Sequence, residues 1–328
     1  MICFRTRHVK IKIGVLRFLL FAAAASAAFA AAPVYELSGR IVPKARAYVT
    51  LFGATAPYSD STFVFPGAAF HFKKLPPGLY TIAVFMRGRG EARRSVEIGP
   101  GTADRRGRVS LRLDLKDSDF ALAGALNRYV VSTRRLSVPD AAVREYRQAE
   151  RDLAKQRVDA AVKHLESAVA RAPQFSVAWN NLGTIAYQTG NYARAEECFR
   201  EALQQEPDSY EALVNLGGVL VTLHKLDEAL TRNALAVEKR PNDALAQSQL
   251  GITYYLLGQF DLAGKHLESA RSIDPAHFSY PQLLLAQIHF RQGDPHAAAD
   301  VLEDFLAHHP DWPQAAAVRS MIARARAQ

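Results

Sequence analysis

The apolar positions in the C-terminal part of the chain follow a helical period, and the pattern returns every 34 residues. Between Trp179 and Pro207, apolar residues at helical spacing lie on both sides of a break at Gly190. This arrangement predicts a helix, a tight turn and a second helix. The 34-residue recurrence is clearest at small residues and prolines: Gly183, Gly217, Gly251, Pro173, Pro207, Pro241 and Pro275. A fixed period of this length predicts a stack of helical hairpins.

These positions resemble the tetratricopeptide repeat, a family of helical hairpins that stack into an α-solenoid. The resemblance covers residues 137–310 as about five repeats, and a polar capping helix is expected over 311–328. Repeat three departs from the pattern, because His224 replaces the turn glycine and Asn233 replaces an aromatic residue. Since the repeat is a scaffold that hosts many partners, the resemblance implies binding of a protein or peptide without naming it.

In the resembled family, the first helix of each repeat lines a concave groove. Carried onto this chain, the groove presents an amide row, Asn181, Asn215 and Gln249, which Leu284 continues, and an aromatic row, Tyr187, Val221, Tyr255 and Phe290. The resemblance implies that the amides hold a peptide backbone, because a side-chain amide offers both a donor and an acceptor. The aromatic row would supply apolar pockets, and groove side chains would be mostly solvated without a ligand. The alternative is that both rows are repeat consensus with no ligand.

Residues 33–115 follow a different period, with apolar and polar residues alternating in short runs between Gly and Pro clusters. This alternation predicts six or seven short strands in a small antiparallel β-sandwich. The expected strands are 35–41, 48–51, 70–72, 79–85, 94–98 and 109–115. The predicted fold class is therefore a multidomain chain, a β-sandwich followed by an all-α solenoid.

The run from Phe70 to Val84 contains an aromatic strand, a Leu-Pro-Pro-Gly turn and a strand led by Tyr80. This run resembles the carboxypeptidase regulatory-like, transthyretin-like domain. Tyr80, Ile82 and Val84 are expected to face the core together. The family's Gly-rich loop after the first strand is shortened here. The domain has no His-x-x-Glu zinc pair and a single histidine, so we expect no peptidase site in it.

The first 32 residues have a positive start followed by an apolar run from Phe18 to Ala30 and a small-x-small cleavage pattern. These features predict a secretory signal peptide, and export to the periplasm or cell envelope. The alternative is an uncleaved anchor, the one case in which we expect membrane contact. Residues 116–136 are predicted to be a connector whose apolar part packs as a short helix or strand.

Charge is divided unevenly between the two predicted parts. Residues 33–136 carry 17 Lys and Arg against 8 Asp and Glu, whereas residues 137–328 carry 19 against 24. Clustered arginines suggest an anionic-ligand patch on the sandwich, at Arg87, Arg89, Arg93, Arg94, Arg105 and Arg106. The alternative is solvated loops and a charged sheet edge. Nucleic acid is not expected, because no stacking aromatics interleave the arginines.

Elements of catalysis are missing from the sequence. No Gly-x-Ser-x-Gly, phosphate loop, dinucleotide fingerprint or His-x-x-x-His spacing occurs, so we expect no enzyme activity, cofactor or metal. The sequence predicts an exported, non-catalytic adaptor that binds a protein segment in its groove. The alternatives are binding of an envelope polysaccharide or other anionic polymer by the sandwich, and a role as an assembly subunit of an envelope or secretion complex.

Overall fold

The computed structural model describes residues 33–120 and 137–328. The predicted signal peptide and most of the predicted connector lie outside these residues. Within them, no helix has both the length and the apolar character that a membrane crossing requires.

The N-terminal part forms two sheets from seven strands within residues 33–120. The strands are β1 (Tyr35–Val42), β2 (Ala47–Gly53), β3 (Ser59–Val64), β4 (Ala69–Leu75), β5 (Gly78–Met86), β6 (Gly90–Ile98) and β7 (Arg108–Asp114). One sheet has the order β4-β1-β7 and the other β3-β2-β5-β6. The expectation of a purely antiparallel sandwich is wrong at one place, because β1 and β7 pair in parallel. These two strands lie far apart in the chain, so no tight turn forces them to run in opposite directions.

The alternating residues of both sheets meet in one apolar core. Leu37, Phe70 and Phe72 from the three-stranded sheet pack with Leu51 and Ile82 from the four-stranded sheet, as the period-two pattern predicts. The Leu-Pro-Pro-Gly turn is fixed by Tyr80, whose hydroxyl donates to the Pro76 carbonyl at 2.8 Å. Strand β3 was not predicted, because its Ser59–Val64 segment is mostly polar and buries little.

The C-terminal part is built from eleven helices in residues 137–328. They are α1 (Asp140–Ala154), α2 (Val158–Arg171), α3 (Ser176–Gln188), α4 (Tyr192–Gln205), α5 (Tyr210–Thr222), α6 (Leu226–Lys239), α7 (Ala244–Leu256), α8 (Phe260–Ile273), α9 (Pro281–Gln292), α10 (Pro295–His308) and α11 (Ala315–Arg326). The first ten pair as five hairpins. The glycines let the two helices of a hairpin approach closely, since a Cβ at Gly183 would lie 2.6 Å from the Phe199 ring.

Each hairpin turn contains one residue in the left-handed region. These residues are Gln156, Gly190, His224, Gly258 and Gly293, with φ between 56° and 82°. Glycine adopts this conformation without steric cost, whereas a side chain with a Cβ is strained there. Repeat three therefore departs from the pattern in its residue type at position 224, while its backbone keeps the conformation of the other turns.

The sandwich lies against the concave side of the array, and Pro33–Gln328 form one compact unit. Contacts extend from the first hairpin to the last. The Gln156 side chain donates to the Lys74 carbonyl at 3.4 Å and the Gln188 side chain to the Gly53 carbonyl at 2.9 Å. At the other end, the backbone amide of Gly101 donates to the Asp311 carboxylate at 2.7 Å. The concave groove is therefore covered by the four-stranded sheet, in contrast to the open groove that the sequence suggested.

Candidate functional site

A cavity of about 790 Å³ separates the outer face of the four-stranded sheet from the concave helices α1, α3, α5 and α7. We call it the sheet–array cavity. On the sheet side it is lined by polar residues that point away from the sandwich core, among them Thr50, Ser61 and Thr81. It reaches solvent beside Phe52 and Tyr187, each of which is 39% exposed. A covered space of this size and polarity can hold a segment of polypeptide.

The amide row lies on the array side of this cavity. The Asn181 side-chain amide donates to the Tyr146 hydroxyl at 3.1 Å, and the Asn215 side-chain amide donates to Oδ1 of Asn180 at 3.0 Å. The Gln249 Oε1 atom is buried and has no hydrogen-bond partner in the described part of the chain. The structure therefore brings together all three predicted amides, at the floor of a covered cavity.

The aromatic row does not stay together. Tyr187 lines the cavity and its hydroxyl lies 3.2 Å from the Thr222 hydroxyl. Tyr255 does not line it, because its ring packs in the array core and its hydroxyl donates to Gln287 at 2.7 Å. Phe290 also lies outside the cavity and is 37% exposed. The placement of Tyr255 as a groove residue is therefore corrected, because the next hairpin packs over it. Phe290 as a binding residue stays a prediction.

Residues that the sequence did not single out connect the two walls of the cavity. Glu211 on α5 accepts from Arg93 on β6 at 3.4 Å and from Arg240 after α6 at 3.1 Å. The Arg240 guanidinium also lies 3.8 Å from the centre of the Tyr210 ring, which is a cation–π geometry. The sequence contained one indication of such contacts, because the two predicted parts have opposite net charges.

Comparisons with known proteins agree with the helical part of this architecture. The family model described as the cilia and flagella-associated protein 70 middle TPR-like domain matches residues 147–272, and the tetratricopeptide repeat model matches residues 254–322. The helical part of this chain is a tetratricopeptide-repeat array. The tetratricopeptide repeat is a non-catalytic scaffold for protein interactions, and this is the character of the helical part of the chain. The carboxypeptidase regulatory-like resemblance of residues 33–115 stays a prediction.

Curated relatives are similar to about a third of the chain. The Protein STIP1 homolog of Dictyostelium discoideum is 29% identical over 104 residues, which cover 32% of this chain and 18% of that protein. The human Cell division cycle protein 16 homolog is 29% identical over 119 residues, which cover 34% and 19%. This chain thus spans less than a fifth of either relative. A solved structure of PilW, a type IV pilus biogenesis factor, aligns with a TM-score of 0.50 at 24% identity, over 58% of this chain and 87% of that one; this likeness shows the fold alone.

The predicted arginine patch on the sandwich is divided by the tetratricopeptide array and by local ion pairs. Arg93 pairs with Glu91 at 2.7 Å, and Arg94 with Asp119 at 2.8 Å, on the cavity side of β6. Arg89 pairs with Asp117 and lies 4.3 Å from the centre of the Phe120 ring. The other three arginines of the predicted patch are exposed: Arg87, Arg105 and Arg106. The six arginines therefore do not form one free cationic surface.

Two further buried polar atoms, the hydroxyls of Tyr210 and Ser95, lie on opposite walls of the cavity. In the described residues, neither the Tyr210 hydroxyl nor the Ser95 hydroxyl has a hydrogen-bond partner, and both are buried. Burial, with Asp243 nearby, raises the pKa of Tyr210, so its hydroxyl stays protonated. A buried polar group without a partner costs about 1–3 kcal/mol. A ligand in the cavity that bonded these atoms would recover that free energy.

Histidine and cysteine near the cavity have no reactive arrangement. Burial lowers the pKa of His277, whose Nδ1 lies 2.6 Å from the Ser279 hydroxyl, so this ring stays neutral at physiological pH. Burial also raises the pKa of Cys198 to about 11, which makes this packed thiol a poor nucleophile. Across the described ranges, no cluster of three or more His, Cys, Asp or Glu residues could hold a metal ion.

Proposed function

We propose that this protein is an exported scaffold that binds an extended segment of a partner protein in the sheet–array cavity. One observation carries the proposal: the amide row, Tyr187 and the unpartnered atoms of Gln249, Tyr210 and Ser95 all line the same covered space. A polypeptide backbone supplies a donor and an acceptor at each residue, which is the complement that such a lining requires. The sheet would hold the segment against the array and exclude water from these hydrogen bonds.

Export is the part of the proposal that rests on the sequence of residues 1–32. A positive start, an apolar run and a small-x-small site together support a cleaved signal peptide. Intact-mass measurement of the protein from the envelope fraction tests this, because cleavage should remove about the first thirty residues. A mass that includes Met1 would support an anchor and overturn cleavage.

The binding site is tested by placing a photo-crosslinking residue at Tyr187, in cells that make the protein. The matched control carries the same residue at Leu235, which is exposed on α6 and does not line the cavity. We expect a discrete protein adduct from position 187 and none from position 235. Equal adducts from both positions would contradict binding in the cavity.

The partner captured at position 187 then allows the amide row to be tested by affinity. Asn181→Ala with Asn215→Ala should weaken binding about tenfold to several hundredfold, because each lost hydrogen bond is worth about 0.5–1.5 kcal/mol and unpaired peptide groups add to this. The control pair, Gln204→Ala with Gln314→Ala, removes two exposed amides elsewhere on the array. Tyr255→Phe should leave affinity unchanged, because its hydroxyl bonds Gln287 outside the cavity. Full affinity in the double Asn variant would overturn the proposed site.

A further inference from the structure

The charges that line the sheet–array cavity are strongly unequal. Eight carboxylates line it against three guanidinium groups. All three guanidinium groups are already paired with carboxylates of the same lining, since Arg93 and Arg240 share Glu211 and Arg94 binds Asp119. His277 adds no positive charge, because burial lowers its pKa. The lining therefore has a net charge of about five negative units, and a cleft of one sign of charge concentrates ligands of the other sign.

Four of these carboxylates form no ion pair with any cation in the described part of the chain: Glu150, Glu206, Asp243 and Asp274. Three of them accept neutral hydrogen bonds, from the Ser176 hydroxyl to Glu206 and from backbone amides to Asp243 and Asp274. These bonds orient the carboxylates without neutralising them. The fourth, Glu150, lies on α1 at the edge of the cavity, where burial raises its pKa and a hydrogen bond from Tyr146 opposes that rise. Guanidinium groups act on Glu150 and Asp243 without forming an ion pair, Arg147 and Arg151 on the first and Arg93 on the second, so a bound cation would still be favoured here.

A second observation, independent of the acidic residues, points to a ligand in the same place. The Tyr210 side chain is 5% exposed and its hydroxyl lines the cavity without a hydrogen-bond partner in the described residues. The Gln249 Oε1 atom, also buried and unpartnered, is an acceptor only. An unpartnered acceptor and unpaired carboxylates both require N–H donors. Lysine and arginine side chains combine several such donors with a positive charge.

We propose that the sheet–array cavity selects a cationic polypeptide segment, in which lysine or arginine side chains face Glu150, Glu206, Asp243 and Asp274. This inference rests on the proposed function and adds the chemistry of the segment. The amide row holds the backbone of the segment, and the carboxylates bind its side chains. The two arginines of β6 remain with their own carboxylates, so the sheet presents no free positive charge to repel the segment.

The test uses the purified protein and fluorescent synthetic peptides of equal length with blocked ends. The peptides alternate alanine with lysine, arginine, serine or glutamate. Fluorescence anisotropy should show that the lysine and arginine peptides bind at least tenfold more tightly than the serine peptide, and that the glutamate peptide binds least. Serine or glutamate peptides that bind as tightly as the lysine peptide would overturn the inference.

Charge variants separate the cavity from general surface attraction. Glu150→Gln with Glu206→Gln should weaken the lysine peptide about tenfold, because two carboxylates near the bound cations are neutralised while hydrogen-bond acceptors remain. The control pair Glu166→Gln with Glu238→Gln makes the same change in net charge at exposed residues outside the cavity lining, and should change affinity less than twofold. If both pairs of substitutions weakened binding of the lysine peptide equally, the assignment of its binding site to the cavity would be overturned.

Two further arms distinguish this inference from the function on which it rests. Spermidine carries ammonium groups without a peptide backbone, so binding as tight as that of the lysine peptide would overturn the assignment to a polypeptide. An adduct at position 187 together with no binding of either cationic peptide would overturn the cationic selectivity, while the proposed function would survive. Loss of both the adduct and the peptide binding would overturn both.

Discussion

The concave side of the array meets the sandwich in two different ways. At the ends of repeats four and five, the array touches the sandwich directly: the Ser95 backbone amide donates to Asp274 at 2.9 Å, and the Gly101 amide donates to Asp311 at 2.7 Å. We call this the contact region. In repeats two and three, helices α3 and α5 line the cavity and contact the sheet through Gln188 and Glu211, and we call this the cavity region.

The two regions also differ in how well their residues suit the repeat fold. Repeat four of the contact region has glycine at its left-handed turn and Leu267 packed in its hairpin core. Repeat three of the cavity region has His224 at the equivalent turn and a buried Asn233 at the equivalent core position. Residues that lower stability tend to accumulate beside functional sites. The array is therefore attached to the sandwich in the contact region, whereas the two residues of repeat three that suit the fold least belong to the cavity region.

The largest effect is expected from breaking the contact region. Asp274→Ala with Asp311→Ala removes two carboxylates that accept from backbone amides, and hydrogen bonds to charged groups are worth about 1.5–3 kcal/mol each. We expect a loss of about 3–5 kcal/mol in the free energy of unfolding, measured by urea denaturation. The unfolding transition should also lose cooperativity, because the sandwich and the array would no longer unfold together.

The control for this change is Asp208→Ala with Asp300→Ala. These two carboxylates are 89% and 67% exposed and form only surface ion pairs, with Lys239 and Arg326. Such pairs contribute about 0–1 kcal/mol each. If the contact variant were no less stable than this control, the Asp274 and Asp311 contacts would not be what attaches the sandwich.

A stabilising change is expected at Asn233 in the cavity region. Its Nδ2 donates to the Thr253 hydroxyl at 3.0 Å, but its Oδ1 is buried with no partner in the described residues. Asn233→Leu copies Leu267 of repeat four and removes an unsatisfied polar group, so the free energy of unfolding should rise by about 1–2 kcal/mol. Thr253 would keep its bond to the Gln249 carbonyl. Thermal unfolding measures the change, and a lower Tm than the parent would contradict it.

A smaller gain is expected at the turn of repeat three. His224 is exposed with φ of 56°, and glycine relieves the steric strain of this conformation. His224→Gly should therefore stabilise the protein by about 0.5–1 kcal/mol in urea denaturation. The matched change His296→Gly, at an exposed helical position of α10, should instead cost about 0.5–1 kcal/mol. The same sign for both variants would show that the turn is not strained.

The smallest effect is expected in the local opening of the cavity region, which Cys198 can report. Burial raises the pKa of the Cys198 thiol to about 11, so this thiol should react slowly with a thiol reagent at neutral pH. The measurement uses a protein with Cys3→Ser, so that any reaction comes from Cys198. Asn233→Leu should slow the reaction a few-fold further by stabilising the neighbouring hairpin. Reaction as fast as that of free cysteine would show that repeat two opens without cost.

The helical hairpins were predictable because their determinants are local. The 34-residue recurrence of glycines and prolines locates each turn, and the structure confirms five hairpins followed by a last helix. Even the departures at His224 and Asn233 were visible as breaks in the pattern. The amide row could be placed on the cavity wall for the same reason, since one helical face repeats at the period of the array.

The covering of the groove was not predictable from these patterns. Ser95 and Asp274 are 179 residues apart. The local sequence around an aspartate that follows a helix does not indicate which distant residue it will contact. The parallel pairing of β1 with β7 and the polar strand β3 lack a local signature for the same reason. Tyr255 was misplaced because the face it occupies depends on how the next hairpin packs over it.

The hydrogen bond between Ser95 and Asp274 also sets an order of events during synthesis. Strand β6 is an edge of its sheet, and the open edge is covered only when the end of repeat four has been made. At about 5–20 residues per second, that delay is on the order of 10–40 s. During this interval the nascent chain presents an unpaired strand edge, the kind of surface on which other chains add as strands. The last repeats therefore supply the acceptor for an amide on this edge strand, and a chain that ends before Asp274 would leave that amide without it.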